Sequence, residues 1–463
     1  MKTSLKVSLI AVMAGALALV LILGASIGSA AAPNPALSDD LVLIGNGSAD
    51  GVNGTGDVKV LDINSMSVVN TIANSSDGSG LANNHGVLID GTGRYIWNSN
   101  NSLAAGKARL VKYDLATMSP VLSFDAASAD VYAFTSGLCG LEWNNNDPST
   151  GKLWGTSMSS ATGNGGLYEY DAVTGATGNY VDNTAGADNG STCGIAWNAS
   201  GGTAYAAAMT AKKLTAIAWP GSTLGATNVS GVPTNLHMVD TNKANGYAYI
   251  AAQTKINIVD TATMTEVATV TPAFTANVHD TKVSHSAGFL YAHSRNGSTS
   301  PVAAETGTLL IYDIGGGGAG GTALAPVLIG QMADQGSSTV SCGTQLLAKS
   351  TYTAQPSLTL SKTGTTWGTY ANYLARVLTV NYSVGNSGSN AALDTTIVGA
   401  SSGNGVTLVA GASVGTIGAG SSKALALQYN VPVNVGSFMS TTYATAKDLG
   451  GTSYSYPGPY PGP

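Results

Sequence analysis

The chain has 463 residues, enough for two or three domains with full cores, and only 10 % of it is charged. Gly fills 60 positions and Glu only four (Glu142, Glu169, Glu266 and Glu305), so strands joined by tight turns are expected and surface helices are not. The net charge of −6 comes without a basic stripe and excludes nucleic acid as a partner.

Residues 1–32 read as an export signal helix. Lys2 and Lys6 precede an apolar run from Val7 to Ile27, and Ser29-Ala30-Ala31-Ala32 supplies small residues for cleavage. The mature chain is expected to start near Ala31 to Pro33 and to be secreted or held at the cell surface. An uncleaved signal anchor is the alternative and would be the one membrane contact, because no second apolar run of 18 residues follows.

Residues 38–350 repeat one pattern, a period-2 strand ending in Asp, a polar turn and a second strand. It appears at Asp62, Asp114, Asp171, Asp260 and Asp313. Each Asp suits a turn in which its side chain caps backbone N–H groups, which makes these residues structural rather than catalytic. A second pattern, another strand pair, lies upstream in the units, as in HGVLIDGTGRYIWNSN and, in the fourth unit, CGIAWNASGGTAYAAA. Four strands per unit predict an all-β propeller, since a lone four-stranded sheet cannot bury both faces. The first unit lacks an innermost strand, and Cys342 to Ala348 has no unit of its own. Pairing that segment beside Leu41 to Ile44 would close a six-bladed ring, with seven blades as the alternative. The fourth unit is the weakest, because Trp219-Pro220 replaces its turn Asp.

The strand-Asp-turn-strand repeat resembles YVTN-type propellers, which are surface and secreted relatives of quinoprotein-like propellers. The resemblance implies a fold and leaves function open. From 354 to 452 the pattern changes to about seven short strands of a β-sandwich. Tyr382-Ser383-Val384, Asn386-Ser387-Gly388 and Ile417-Gly418-Ala419-Gly420 resemble immunoglobulin-like repeats of the DUF11 and CARDB type, which implies a spacer or a surface-binding module. Residues 453–463 form a Pro/Gly-rich tail, expected to be extended or turn-rich and without a core of its own.

Generic catalytic motifs are absent in any usable context. Gly411-Ala412-Ser413-Val414-Gly415 matches a nucleophile elbow but has no strand-to-helix turn around it. One set of residues stands apart. Aligned by unit, the innermost strands begin with His85, Cys139, Cys193, His237, His279 and, in the closing segment, Cys342. All three cysteines of the chain fall in this set. Equivalent positions of a propeller converge on its axis, so a ring of three imidazoles and three thiols is expected. Such donors favour copper or zinc. Two other arrangements remain open, a Cys139–Cys193 disulfide with structural histidines and a packed polar plug. His285 and His293 break the register and are left out.

Two functions follow. The first is a binding and structural protein whose partner is a surface polymer, a glycan or a protein ligand, with self-assembly included. The second is a secreted copper- or zinc-dependent redox enzyme that uses the ring.

Overall fold

A computed structural model describes residues 40–46, 58–72, 84–89, 94–100, 108–117, 119–125, 138–143, 152–157, 166–171, 177–182, 192–209, 211–219, 222–229, 236–272, 277–295, 308–316, 318–332, 341–348, 356–402, 404–410, 412–449 and 452–457. The export segment, and with it the choice between cleavage and anchor, lies outside the described residues. Among the described residues no helix is long and apolar enough to cross a membrane.

The fold is all-β. The described residues form eight four-stranded antiparallel sheets, with one five-residue helix at Tyr370–Leu374. Six sheets lie between Asp40 and Ala348. Their first strands are Ser341–Ala348, Asn84–Ile89, Leu138–Trp143, Thr192–Trp197, Val239–Asn242 and Asn277–Val283. Each of these strands touches the next, and the sixth touches the first, so the cycle is closed and the sheets radiate from it as a β-propeller. Burial follows this plan. Thr192–Trp197 is buried at every position, whereas the outer strand Thr265–Val270 alternates between exposed and half-buried.

The turn aspartates act as expected. Asp62, Asp114, Asp260 and Asp313 each accept a backbone N–H two residues on, at 2.8–3.0 Å. The turn after Asp171 lies outside the described residues. The fourth sheet is complete although it lacks a turn Asp, and Trp219 has a different task. It packs edge-on against Trp154 of the third sheet at 4.5 Å, and Trp154 in turn meets Trp197 at 5.5 Å. Aromatic packing between sheets takes the place of a polar turn there.

The first sheet is closed by the last strand of the propeller. Asp40 pairs with Ala348, Leu41 with Leu347, Val42 with Leu346, Leu43 with Gln345 and Ile44 with Thr344. The apolar pattern requires this, because Leu41, Val42, Leu43 and Ile44 are fully buried and leave no solvent-facing edge.

Residues 358–457 form two further sheets, ordered Leu358–Thr366, Val377–Asn386, Ser422–Asn430, Thr407–Ala410 and Ala412–Ile417, Ala392–Ser402, Met439–Lys447, Ser453–Pro457. They enclose one core that includes Val380, Val384, Ile397, Leu427, Tyr429 and Ala444. Strict alternation along Val377–Asn386 gives that strand one inward face. The described part of the tail is extended, as expected, and it joins the core of the sandwich rather than standing apart from it. Ser453–Pro457 pairs with Tyr443–Lys447 as an edge strand. Its Ser-Tyr-Ser-Tyr order has period 2, Tyr456 packs on the core, and the Tyr454 hydroxyl donates to Asp448 at 3.0 Å. The sandwich also does not hang free. Ala391, Leu393 and Leu449 share a core with Leu41, Val87 and Leu115 of the propeller, and the Ala419 N–H donates to the Ala116 carbonyl at 2.8 Å.

Candidate functional site

The six His and Cys positions are equivalent in the backbone as well as in the sequence. Strand pairing slips between Asn84 and Gly86, Leu138 and Leu141, Thr192 and Gly194, and Val278 and Asp280, which places His85, Cys139, Cys193 and His279 at β-bulges. The closing strand slips in the same place, between Ser341 and Thr344, around Cys342. In the fifth sheet Ala251 faces two residues, accepting the His237 N–H and donating to the Met238 carbonyl.

This repeated bulge explains the glycine that follows most of these positions. In the second, third and fourth sheets the residue after the bulge is pressed by the bulge carbonyl of the next sheet. A Cβ on Gly86 would lie 2.5 Å from the Cys139 carbonyl oxygen, and one on Gly140 would lie 2.5 Å from that of Cys193. Hydroxyls fix the same carbonyls: Ser99 donates to Cys139 at 2.7 Å and Thr156 to Cys193 at 2.5 Å. Gly140→Ala is therefore expected to cost about 1–3 kcal/mol by overpacking against backbone that cannot move aside. Urea denaturation reads this directly, and an unchanged midpoint would refute the close approach.

Cys139 and Cys193 are both fully buried and form a disulfide, with Cα atoms 5.1 Å apart. This is one of the arrangements left open by the sequence. In that state neither sulfur is a thiolate donor. His237 and His279 face each other with ring centroids 4.2 Å apart and planes tilted by 32°. The side chains of His85 and Cys342 lie outside the described residues. Among the described residues no group of three or more His, Cys, Asp or Glu is arranged to hold a metal.

Beside the ring lies a charge cluster that the sequence reading missed. Lys282 of the sixth sheet reaches across the closed cycle to Glu142 of the third, Nζ to Oε2 at 2.9 Å, with both side chains nearly buried. Asp240 and Asp280 complete the cluster. Every carboxylate oxygen in it is engaged. Asp240 accepts from the Thr241 and Val283 N–H groups at 2.8 Å each, Asp280 from those of Thr281 and Thr344, and Glu142 from Trp143 at 3.1 Å and from Lys282. Burial pushes the Asp280 carboxyl up to about 7 against the opposing pull of Lys282, and burial raises Asp240 as well. Burial alone would lower Lys282, but Glu142, Asp240 and Asp280 together hold its ammonium charged well above the usual range. A signal was available. Counting three residues on from the His/Cys position gives Leu88, Glu142, Ala196, Asp240, Lys282 and Gln345, charges on strands that are otherwise apolar.

First strands of all six sheets line the space on the axis, through Gly86, Gly140, Ile195, Val239, Asp280 and Gly343 among others, and it has room for about 10 Å³. That is about one water.

The two histidines outside the register behave differently. His285 is exposed, and its Nδ1 meets Asp40 Oδ1 at 2.6 Å, a contact that raises the imidazole above its ordinary value. His293 is fully buried, and neither ring nitrogen has a hydrogen-bond partner among the described residues. Burial lowers it to about 3. The unfolded chain takes up this proton near pH 6.5 and the folded chain only near pH 3, so acid favours unfolding. The native state should lose about 1.4 kcal/mol per pH unit between those values through this group. His293→Leu is expected to remove that slope and to stabilise the protein at pH 7, since it relieves two buried unpaired nitrogens. Denaturation at pH 7 and pH 5 tests this; an unchanged acid slope would refute it.

No family model matches the sequence, and no curated protein matches it. Similar solved structures include a chain of the crystal structure of the Mitotic Checkpoint Complex, 12 % identical, covering 63 % of this chain and 80 % of that one with a TM-score of 0.40. A chain of the Nidogen/Laminin Complex is 9 % identical, with coverage of 66 % and 98 % and a TM-score of 0.47. At such similarity the propeller rests on its own sheets and their closed cycle.

Proposed function

We propose that this chain is an extracytoplasmic binding and structural protein, built as a six-bladed YVTN-type propeller with an immunoglobulin-like domain packed on it. The observation that carries this reading is the closed axis. Among the described residues the space on the axis holds about 10 Å³, the Lys282–Glu142 pair spans it, and all six carboxylate oxygens of the charge cluster are engaged. Recognition then falls to the outer surfaces, which suits a large partner such as a surface polymer, a glycan or a protein ligand. A buried disulfide supports an oxidising compartment, in keeping with the export signal expected in residues 1–32.

Fractionation of cells that produce the full chain tests the reading. The protein should appear in the medium or on the surface, open to added protease, beginning near residues 31–33 and with Cys139 and Cys193 oxidised. A cytoplasmic protein that keeps Met1 and two free thiols would overturn it.

A further inference from the structure

One end of the sandwich carries a segment that its core does not account for. Between Leu358–Thr366 and Val377–Asn386 the chain makes an excursion that contains the helix Tyr370–Leu374, and no residue of that helix is buried. Tyr370 is 75 % exposed, Leu374 63 % and Tyr373 48 %. The excursion is nevertheless held in one shape. Thr369 caps the helix by accepting the Asn372 N–H at 3.2 Å, Gly368 turns the chain into it at φ +68°, and Arg376 ends it at φ +58°. The Arg376 guanidinium donates to the Val431 and Pro432 carbonyls at 3.2 Å each and lies 4.7 Å from the centroid of the Trp367 ring. Trp367 packs on the core and meets Tyr373 edge-on at 5.7 Å. The rings of Tyr373 and Tyr370 are 6.4 Å apart and tilted by only 23°. Val433, which follows Pro432, is 84 % exposed.

The surroundings select among ligands. Val377 pairs with Asn430, Thr407 with Asn430 and Ser402 with Met439, so residues 363–376, 402–407 and 430–439 lie at one end of the sandwich. Arg376 is the only Asp, Glu, Lys, Arg or His in these three segments, and two carbonyls and a ring already engage it. Peripheral binding to an anionic lipid surface draws on several cations, which this end lacks. A stable protein interface takes about 20–30 residues a side, far more than this aromatic cluster. A sugar needs less area. The C–H groups on a pyranose face pack on an aromatic ring, and its hydroxyls bond to uncharged groups at the edge. Tyr370 and Tyr373 offer both a ring face and a phenolic hydroxyl on stiff side chains, so little entropy is lost on binding. The exposed Thr365, Thr366 and Thr369 add hydroxyls close by in the chain.

We propose that Trp367, Tyr370 and Tyr373 form a platform for a neutral glycan, a chain of uncharged pyranose units that stacks on the tyrosine rings with Leu374 and Val433 at its margin. This names the partner class of the extracytoplasmic binding role and rests on that reading.

The test uses the purified full chain with its disulfide intact. Depletion from solution is measured with insoluble cellulose, chitin, β-1,3-glucan and cross-linked dextran, and with phosphatidylcholine vesicles as a separate arm. At least one of the four polysaccharides should bind the protein, equally at about 0.1 M and about 1 M NaCl, because no charge takes part. The double substitution Tyr370→Ala, Tyr373→Ala should weaken that binding at least tenfold. Its melting temperature should stay close to the parent's, because neither side chain is buried. Phenylalanine at both positions keeps the ring faces and should restore much of the affinity. Binding to none of the four polysaccharides, binding unchanged in the alanine variant, or binding to the vesicles that this variant loses would each overturn the proposal. Cell fractionation reads location separately, so failure of the platform and failure of the extracytoplasmic reading show in different experiments.

Discussion

Lys282→Met is expected to destabilise the propeller by about 3–5 kcal/mol, because it leaves buried carboxylates without their cation. Methionine keeps most of the apolar stem, so the loss reports charge rather than volume. Glu142, Asp240 and Asp280 would then share one dry space. Glu142→Gln should cost far less, about 1–2 kcal/mol, since Asp240 and Asp280 still neutralise Lys282 and an amide can still accept a hydrogen bond. The pH dependence separates this account from simple misfitting. Asp240 and Asp280 already have raised values, and removing Lys282 takes away a group that lowers both. Protonation of these carboxyls would therefore restore part of the stability of Lys282→Met as pH falls from 8 to 5. Urea denaturation at several pH values measures both effects. A Lys282→Met variant within about 0.5 kcal/mol of the parent at pH 8 would show that the axial pair is not a structural tie.

The double substitution Cys139→Ser, Cys193→Ser is expected to lower stability by up to about 4 kcal/mol. The bridge spans 54 residues, and the entropy that such a cross-link removes from the unfolded chain corresponds to about that amount. Both sulfurs are fully buried, so reductant alone should leave the native protein oxidised and act only once denaturant opens the fold. The parent in reductant and denaturant should then unfold at the midpoint of the double variant. Equal midpoints for the oxidised parent and the double variant would exclude a stabilising role. Because Cys139 and Glu142 lie on one strand, the third sheet carries two ties, a covalent one to its neighbour and an ionic one across the axis. Loss of either should loosen the same strand, so their effects should not add.

Much of this architecture is legible along the chain because it is local. Alternation before each Asp, the two-residue reach of that Asp to a backbone N–H, and the spacing of the units are properties of short segments. The closing strand is legible for a related reason. A unit short of one strand and a strand without a unit leave one pairing that buries Leu41 to Ile44. The recurrence of His and Cys at one backbone position of the innermost strands also follows from register alone, since the same bulge repeats from sheet to sheet. What neighbours do at that ring is decided by tertiary structure. Sequence left Cys139 and Cys193 as ligands, disulfide or plug, and only the 5.1 Å approach of adjacent strands joins them. Lys282 and Glu142 are 140 residues apart, and no local pattern couples a charge to its counterpart on the opposite side of a closed ring. Ser453–Pro457 became a strand because Met439–Lys447 offered it an edge, and the sandwich settled on the propeller because Ala391, Leu393 and Leu449 found apolar partners there. Hydrogen bonding within a turn is set by neighbours in the chain, whereas burial and charge pairing are set by whichever surfaces the closed ring brings together.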